Sequence, residues 1–91
     1  MQKSNEFKMN VKSSSGSKPL ASSIKQALME DKTVVLCAIG ASAVNQAVKA
    51  CAIARGYVAS AGYDLTIRPG FADTVIDNDT KTVVRLIVDK K

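Results

Sequence analysis

"IGASAVNQAVKACAIARGYV", residues 39–58, is the stretch whose reading decides the fold. It begins as the end of a strand, turns at Gly40 and runs on as a helix made mostly of alanine. Val44, Ala47, Val48, Cys51 and Ala54 fall on one stripe, the face expected to be buried, with Ser42 as the expected N-cap. Asn45, Gln46, Lys49 and Arg55 interrupt this bland composition. Positions 45 and 49 share a face and 46 adjoins them. Amides and a cation near a helix start suit contacts to phosphates or base edges. Spacing by itself favours a solvated face or an inter-subunit patch over such contacts.

Upstream of this block, Thr33 to Ile39 is continuous, apolar and β-branched, which predicts a strand covered on both faces. Before it, Leu20, Ala21, Ile24, Ala27 and Leu28 make the stripe of an amphipathic helix that Glu30-Asp31-Lys32 ends. Pro19 suits the first turn of that helix, which places Lys18 just ahead of it. Ser13 to Lys18 is a small-residue loop; an anion nest is one reading of it and a flexible connector the simpler one. Phe7, Met9 and Val11 alternate with Lys8, Asn10 and Lys12, the period of a half-buried strand.

Downstream, Tyr63, Leu65 and Ile67 alternate with Asp64, Thr66 and Arg68 in a third strand. Pro69-Gly70 is expected to interrupt it, and Phe71 to Ile76 to continue it with a bend. Asp77 to Thr80 reads as a hairpin turn, and Lys81 to Val88 as the last strand. The order is β-α-β-α-β-β. Two helices burying their stripes on one face of a four-stranded mixed sheet give a two-layer α/β sandwich. Residues 1–6 are polar and expected to fray, leaving 7–91 as a single domain.

Composition bounds the function. The chain has 91 residues, 13 Lys and Arg against 8 Asp and Glu, and a net charge of +5. This balance favours polyanionic partners, because phosphate attracts cations without regard to sequence. Two Phe, two Tyr and no Trp leave few platforms for stacking bases. With no His and no CxxC spacing, Cys37 and Cys51 read as core thiols of a reducing compartment, so no metal is expected. No nucleophile elbow, phosphate-binding glycine loop or carboxylate pair suggests an enzyme, a cofactor or a small-molecule substrate. The Met1–Asn10 segment has no apolar core and no run reaches the length of a membrane span, so the expected location is the cytoplasm.

Residues Ala38 to Leu65 closely resemble the stage V sporulation protein S family, whose pattern runs "IGAGALNQAVKAVAIARG" and then "VAPSGIDL". The closing "TVVRLIVD", Thr82 to Asp89, is similar to that family's "TAIKLIVE", and Arg68 to Asp73 to its "P-x-F" element. The resemblance runs from about Met9 to Asp89. Ser60-Ala61 replaces the family's Pro-Ser, and Arg68 and Gly70 alter the surroundings of the Pro. The family in turn is similar to the Alba superfamily of nucleic-acid-binding chromatin proteins, which has the same element order. Gly16-Ser17-Lys18-Pro19 resembles an Alba "KKP" loop, and Ala38 to Val48 an Alba "ARGRAISKAV" turn. The arginines flanking the Alba glycine are absent here, where Ile39 and Ala41 stand, and Ser17 replaces one lysine.

The resemblance implies an Alba-like fold and a non-enzymatic nucleic-acid-binding regulator, of DNA or RNA, acting in sporulation or a related developmental programme. It also implies a homodimer or homotetramer. On that reading Lys12, Lys18, Lys49, Arg68, Lys81 and Arg85 meet phosphates, with Asn45 and Gln46 at the interface or near bases. The alternative is a protein-interaction module on an Alba-like fold that does not bind nucleic acid.

Overall fold

The computed structural model describes residues 5–91. The first four residues of the expected fraying segment therefore lie outside it. The elements are β1 (Glu6–Val11), α1 (Ser17–Met29), β2 (Thr33–Ala38), α2 (Ala41–Ala59), β3 (Leu65–Ile76) and β4 (Asp79–Lys90). The sheet order is β1-β2-β4-β3, with β1 and β2 parallel and the other pairs antiparallel. The fold is the expected two-layer α/β sandwich.

Alternation along the strands sorts the side chains. Met9 and Val11 of β1, Val34, Leu36 and Ala38 of β2, and Val84, Leu86 and Val88 of β4 share the face on which the helices lie. There they meet Ala21, Ile24, Ala27 and Leu28 of α1 and Ala43, Ala47, Ala50, Cys51, Ala54 and Val58 of α2. The stripe of α2 thus differs from the expected one. Val48 is 47% exposed, while Ala43, Ala50 and Val58 are buried. A sheet contacted mainly through methyl groups accepts a wide arc of the helix, so alanine tells little about which way the helix is turned. Only one face of β2 carries helices. Val35, on the other face, is still fully buried between Lys8 and Ile87 as cross-strand neighbours.

Other boundaries move for local reasons. α1 starts at Ser17 with Gly16 as N-cap, which puts Lys18 within the first turn rather than before it. The N-cap of α2 is Gly40, not Ser42. Gly40 has φ +91° and ψ 156°, a backbone region open essentially to glycine alone. α1 ends with Asp31 in the left-handed region at φ 62°. The Asp31 N–H donates to the Leu28 carbonyl and the Lys32 N–H to that of Ala27, the paired bonds of a Schellman motif.

β3 is unbroken through Pro69-Gly70. It is an edge strand, and the ladder parity set by the two-residue turn puts Pro69 where its nitrogen points away from β4, so no ladder bond is lost. The turn itself is Asp77-Asn78, with φ of 52° and 66°, as a two-residue hairpin requires. β2 pairs with β4 only from Val84 to Val88. Residues Ala72–Ile76 and Asp79–Val83 therefore project beyond the body as a two-stranded arm, with Phe71 at its root. Strands of twelve residues at about 3.3 Å each account for the longest dimension, 44 Å against 34 and 17 Å.

Candidate nucleic-acid interface

Topology sends several chain segments to one end of the sheet. β1 and β2 finish there, α1 and α2 start there, and the β3–β4 arm projects there. A groove of about 910 Å³ lies between them on the helix-free side. Its walls include Lys8 and Asn10 from β1 and Lys12 just after it, Cys37 and Gly40 to Ala43 from the β2–α2 junction, and Thr74, Val83 and Arg85 from the arm and its root. Arg85 stands between Cys37 of β2 and Gly70 of β3, which offers no side chain. The α2 N-terminus has no side-chain cap, so its first-turn N–H groups stay available to an anion beside these cations.

Lys18, Gln46 and Lys49 sit on the helix side of the same end. The β1–α1 connection is an ordered turn rather than a flexible linker. The Ser15 N–H donates to the Lys12 carbonyl at 3.0 Å, and the Lys12 N–H to Ser15 Oγ at 2.9 Å. Gln46 Nε2 donates to the Ser15 carbonyl at 2.6 Å, and Lys49 Nζ to Gln46 Oε1 at 3.2 Å. Asn45 is exposed and has no side-chain hydrogen bond among the described residues.

The sequence-predicted cations thus divide. Lys12 and Arg85 line the groove, Lys81 stands opposite Thr74 on the same face of the arm as Arg85, and Lys18 and Lys49 flank the helix side. Arg68 is not gathered in. It shares the helix-free face but donates to Asp89 Oδ2 at 3.0 Å, away from the groove. Lys8, Asn10 and Ser42 also line the groove, although the sequence pointed to none of them as a binding residue. Alternation in β1 already put Lys8 and Asn10 on the face of Lys12; the parallel register with β2 supplies the rest.

Ion pairing separates the two ends of the molecule. Among the described residues the paired cations are Lys32, Arg55, Arg68 and Lys90, with Glu30, Asp64, Asp89 and Asp31. None belongs to the groove end. Acidic residues at that end sit on the arm: Asp73 lines the groove, and Asp77 and Asp79 form the hairpin tip. The positive potential therefore concentrates at the root of the arm and the β1–α1 turn.

The two thiols differ. Cys51 is buried in the core, and burial pushes it up to about 11. Cys37, expected to be buried as well, is only half-buried and lines the groove. Among the described residues no group of three His, Cys, Asp or Glu side chains comes together as a metal site needs, and no helix is long and apolar enough to cross a membrane.

Fold and site together define a small α/β sandwich with an open, cation-lined end. Residues 7–91 match the family described as Stage V sporulation protein S. The chain belongs to that family, and with it to a group of proteins named for sporulation.

Proposed function

We propose that this protein is a non-enzymatic regulator that binds nucleic acid, DNA or RNA, at its groove end, in sporulation or a related developmental programme. The observation that carries this reading is the separation of charge. Lys32, Arg55, Arg68 and Lys90, all away from the groove, pair with carboxylates, and Lys25 and Lys91 do not; at the groove end Lys8, Lys12, Lys18, Lys49, Lys81 and Arg85 are gathered with no ion-pair partner among the described residues. Like charges gathered at one end repel one another, and a polyanion relieves that repulsion while releasing its own counterions. Capped by neither Asp nor Ser, the α2 N-terminus adds donors where a phosphate would sit. The contacts are to the backbone rather than to bases, because the end offers cations and N–H groups but few aromatic platforms.

Titration of labelled duplex and single-stranded DNA and RNA tests the reading. Affinity should fall with salt at a log–log slope of about −0.9 per phosphate contact on duplex. Absence of salt-dependent binding to all four probes would sink it.

A second reading, a protein-interaction module without nucleic-acid binding, rests on the arm. Phe71 is 80% exposed and Val75 68% exposed on its helix-facing side, with Ile76 also exposed. These residues also suit a second copy of the chain as a homodimer or homotetramer, which is compatible with nucleic-acid binding. Light scattering of the wild type and Phe71→Asp separates self-association from a surface that stays bare.

A further inference from the structure

We propose that Gln46 is a positioning residue: its amide latches the Lys12–Gly16 turn onto α2 and so fixes where Lys12 and Lys18 present their charges. The inference rests on the proposed function for its consequence in binding, and on four hydrogen bonds for its geometry. Within the turn, Lys12 and Ser15 exchange bonds, N–H to carbonyl at 3.0 Å and N–H to Oγ at 2.9 Å. This closes the turn on itself but does not tie it to the body. The tie is the bond from Gln46 Nε2 to the Ser15 carbonyl at 2.6 Å, joining residues 31 apart in sequence.

Lys49 makes the latch directional. An ammonium can only donate, so its 3.2 Å contact requires the oxygen of the Gln46 amide to face it. The amide N–H groups are then turned toward Ser15. The result is a relay from α2 to the turn, Lys49 to Gln46 to Ser15 to Lys12. Lys12 leads out of β1 on one side of the turn, and Lys18 lies in the first turn of α1 on the other. Holding the middle of the connection therefore holds both lysines. A Ser- and Gly-rich turn has high freedom when untied, so the orientation of these charges depends on such a tie. Gln46 thus acts through the turn rather than by reading a base.

Gln46→Met keeps the length and neutrality of the side chain and removes the donor. Hydrogen exchange by mass spectrometry on the peptide spanning Lys12 to Ser17 should show amides exchanging about five- to tenfold faster than in the wild type, as expected for losing one net hydrogen bond. Peptides from β2 and β4 should be unchanged, which shows that the fold is intact. Binding of labelled duplex should weaken several-fold. Lys12→Ala should cost less affinity in the Gln46→Met background than in the wild type, because an untied lysine contributes less. Unchanged exchange in the turn overturns the latch. Faster exchange with strictly multiplicative effects of the two substitutions overturns its role in placing Lys12. A wild type that binds no nucleic acid sinks the proposed function instead, and the exchange result then decides the latch by itself.

Discussion

The two ends of the sheet treat charge in opposite ways. Where β3 starts and β4 finishes, Lys90 Nζ lies 2.6 Å from Asp31 and 4.5 Å from the centroid of the Tyr63 ring, and Arg55 meets Asp64 at 2.8 Å. The Asp64 and Lys91 backbones exchange hydrogen bonds at 2.9 and 2.8 Å, and Thr33 Oγ1 donates to Asp89 at 2.6 Å. Side chains from the α1–β2 turn, β2, α2, the α2–β3 loop and β4 thereby fasten the end of β4 to the body. At the groove end β1 and β2 stop, the helices begin and the lysines make no ion pair among the described residues. One end spends its charge on holding the fold, and the other leaves it available for a partner.

The sharpest way to break this comparison is to reverse charge at the open end. Lys12→Glu combined with Arg85→Glu should reduce affinity for duplex by about a hundredfold or more, since two phosphate contacts become repulsions. The thermal midpoint should stay close to that of the wild type. A large loss of stability with unchanged binding would invert the assignment of the two ends. Milder and cleaner, Lys18→Ala and Lys49→Ala should each weaken binding by a similar factor across sequences and make the salt slope shallower by about 0.9 per contact removed.

At the fastened end the prediction is the converse. Asp31→Asn should leave binding alone and lower stability slightly, because exposed ion pairs contribute little. Its pH dependence is more telling. The Lys90 ammonium, by hydrogen bond and then by charge, holds the Asp31 carboxyl below its ordinary 3.8, and Arg55 followed by the Leu65 N–H does the same for Asp64. Depressed carboxyls contribute stability that is present above their unfolded values and lost as pH falls through their folded ones. Lys90 is raised above 10.5 by Asp31, so its contribution is present below that value and fades as pH rises through the folded one. Stability against urea should thus fall as the pH drops through and below the ordinary carboxylate value, and fall less in Asp31→Asn. The smallest effect concerns the thiols: iodoacetamide should label Cys37 at the groove well before Cys51, whose burial raises its pKa.

Much of this architecture was legible in the letters, and what was not has physical reasons. The stripe of α1 is correct in every fully buried position, because Ile24 and Leu28 are large and leave no choice of face. The stripe of α2 was misplaced at Val48, since alanines on all sides of the helix blur its periodicity. Pro69-Gly70 looked like a break because a proline is forbidden only where its nitrogen must donate, and which side of the strand is the sheet edge is a tertiary fact. For the site, residue type indicated Lys12, Lys18, Lys49 and Arg85, but not the pairing of Arg68 with Asp89, 21 residues away. Nor could spacing on one helix show that Gln46 reaches a carbonyl in a different loop.

Pro69 has one more consequence, for the outer edge of the sheet. β3 is an edge strand of twelve residues, and beside Phe71 and Val75 it offers a long row of unpaired main-chain groups. Such a row is a template on which a strand from another molecule can add, and then another. The proline nitrogen points outward in the middle of that row and carries no hydrogen, so an incoming strand meets a gap and the ring bulk where it needs a donor. The ring that is harmless to the ladder inside thus guards the ladder outside against open-ended growth of the sheet.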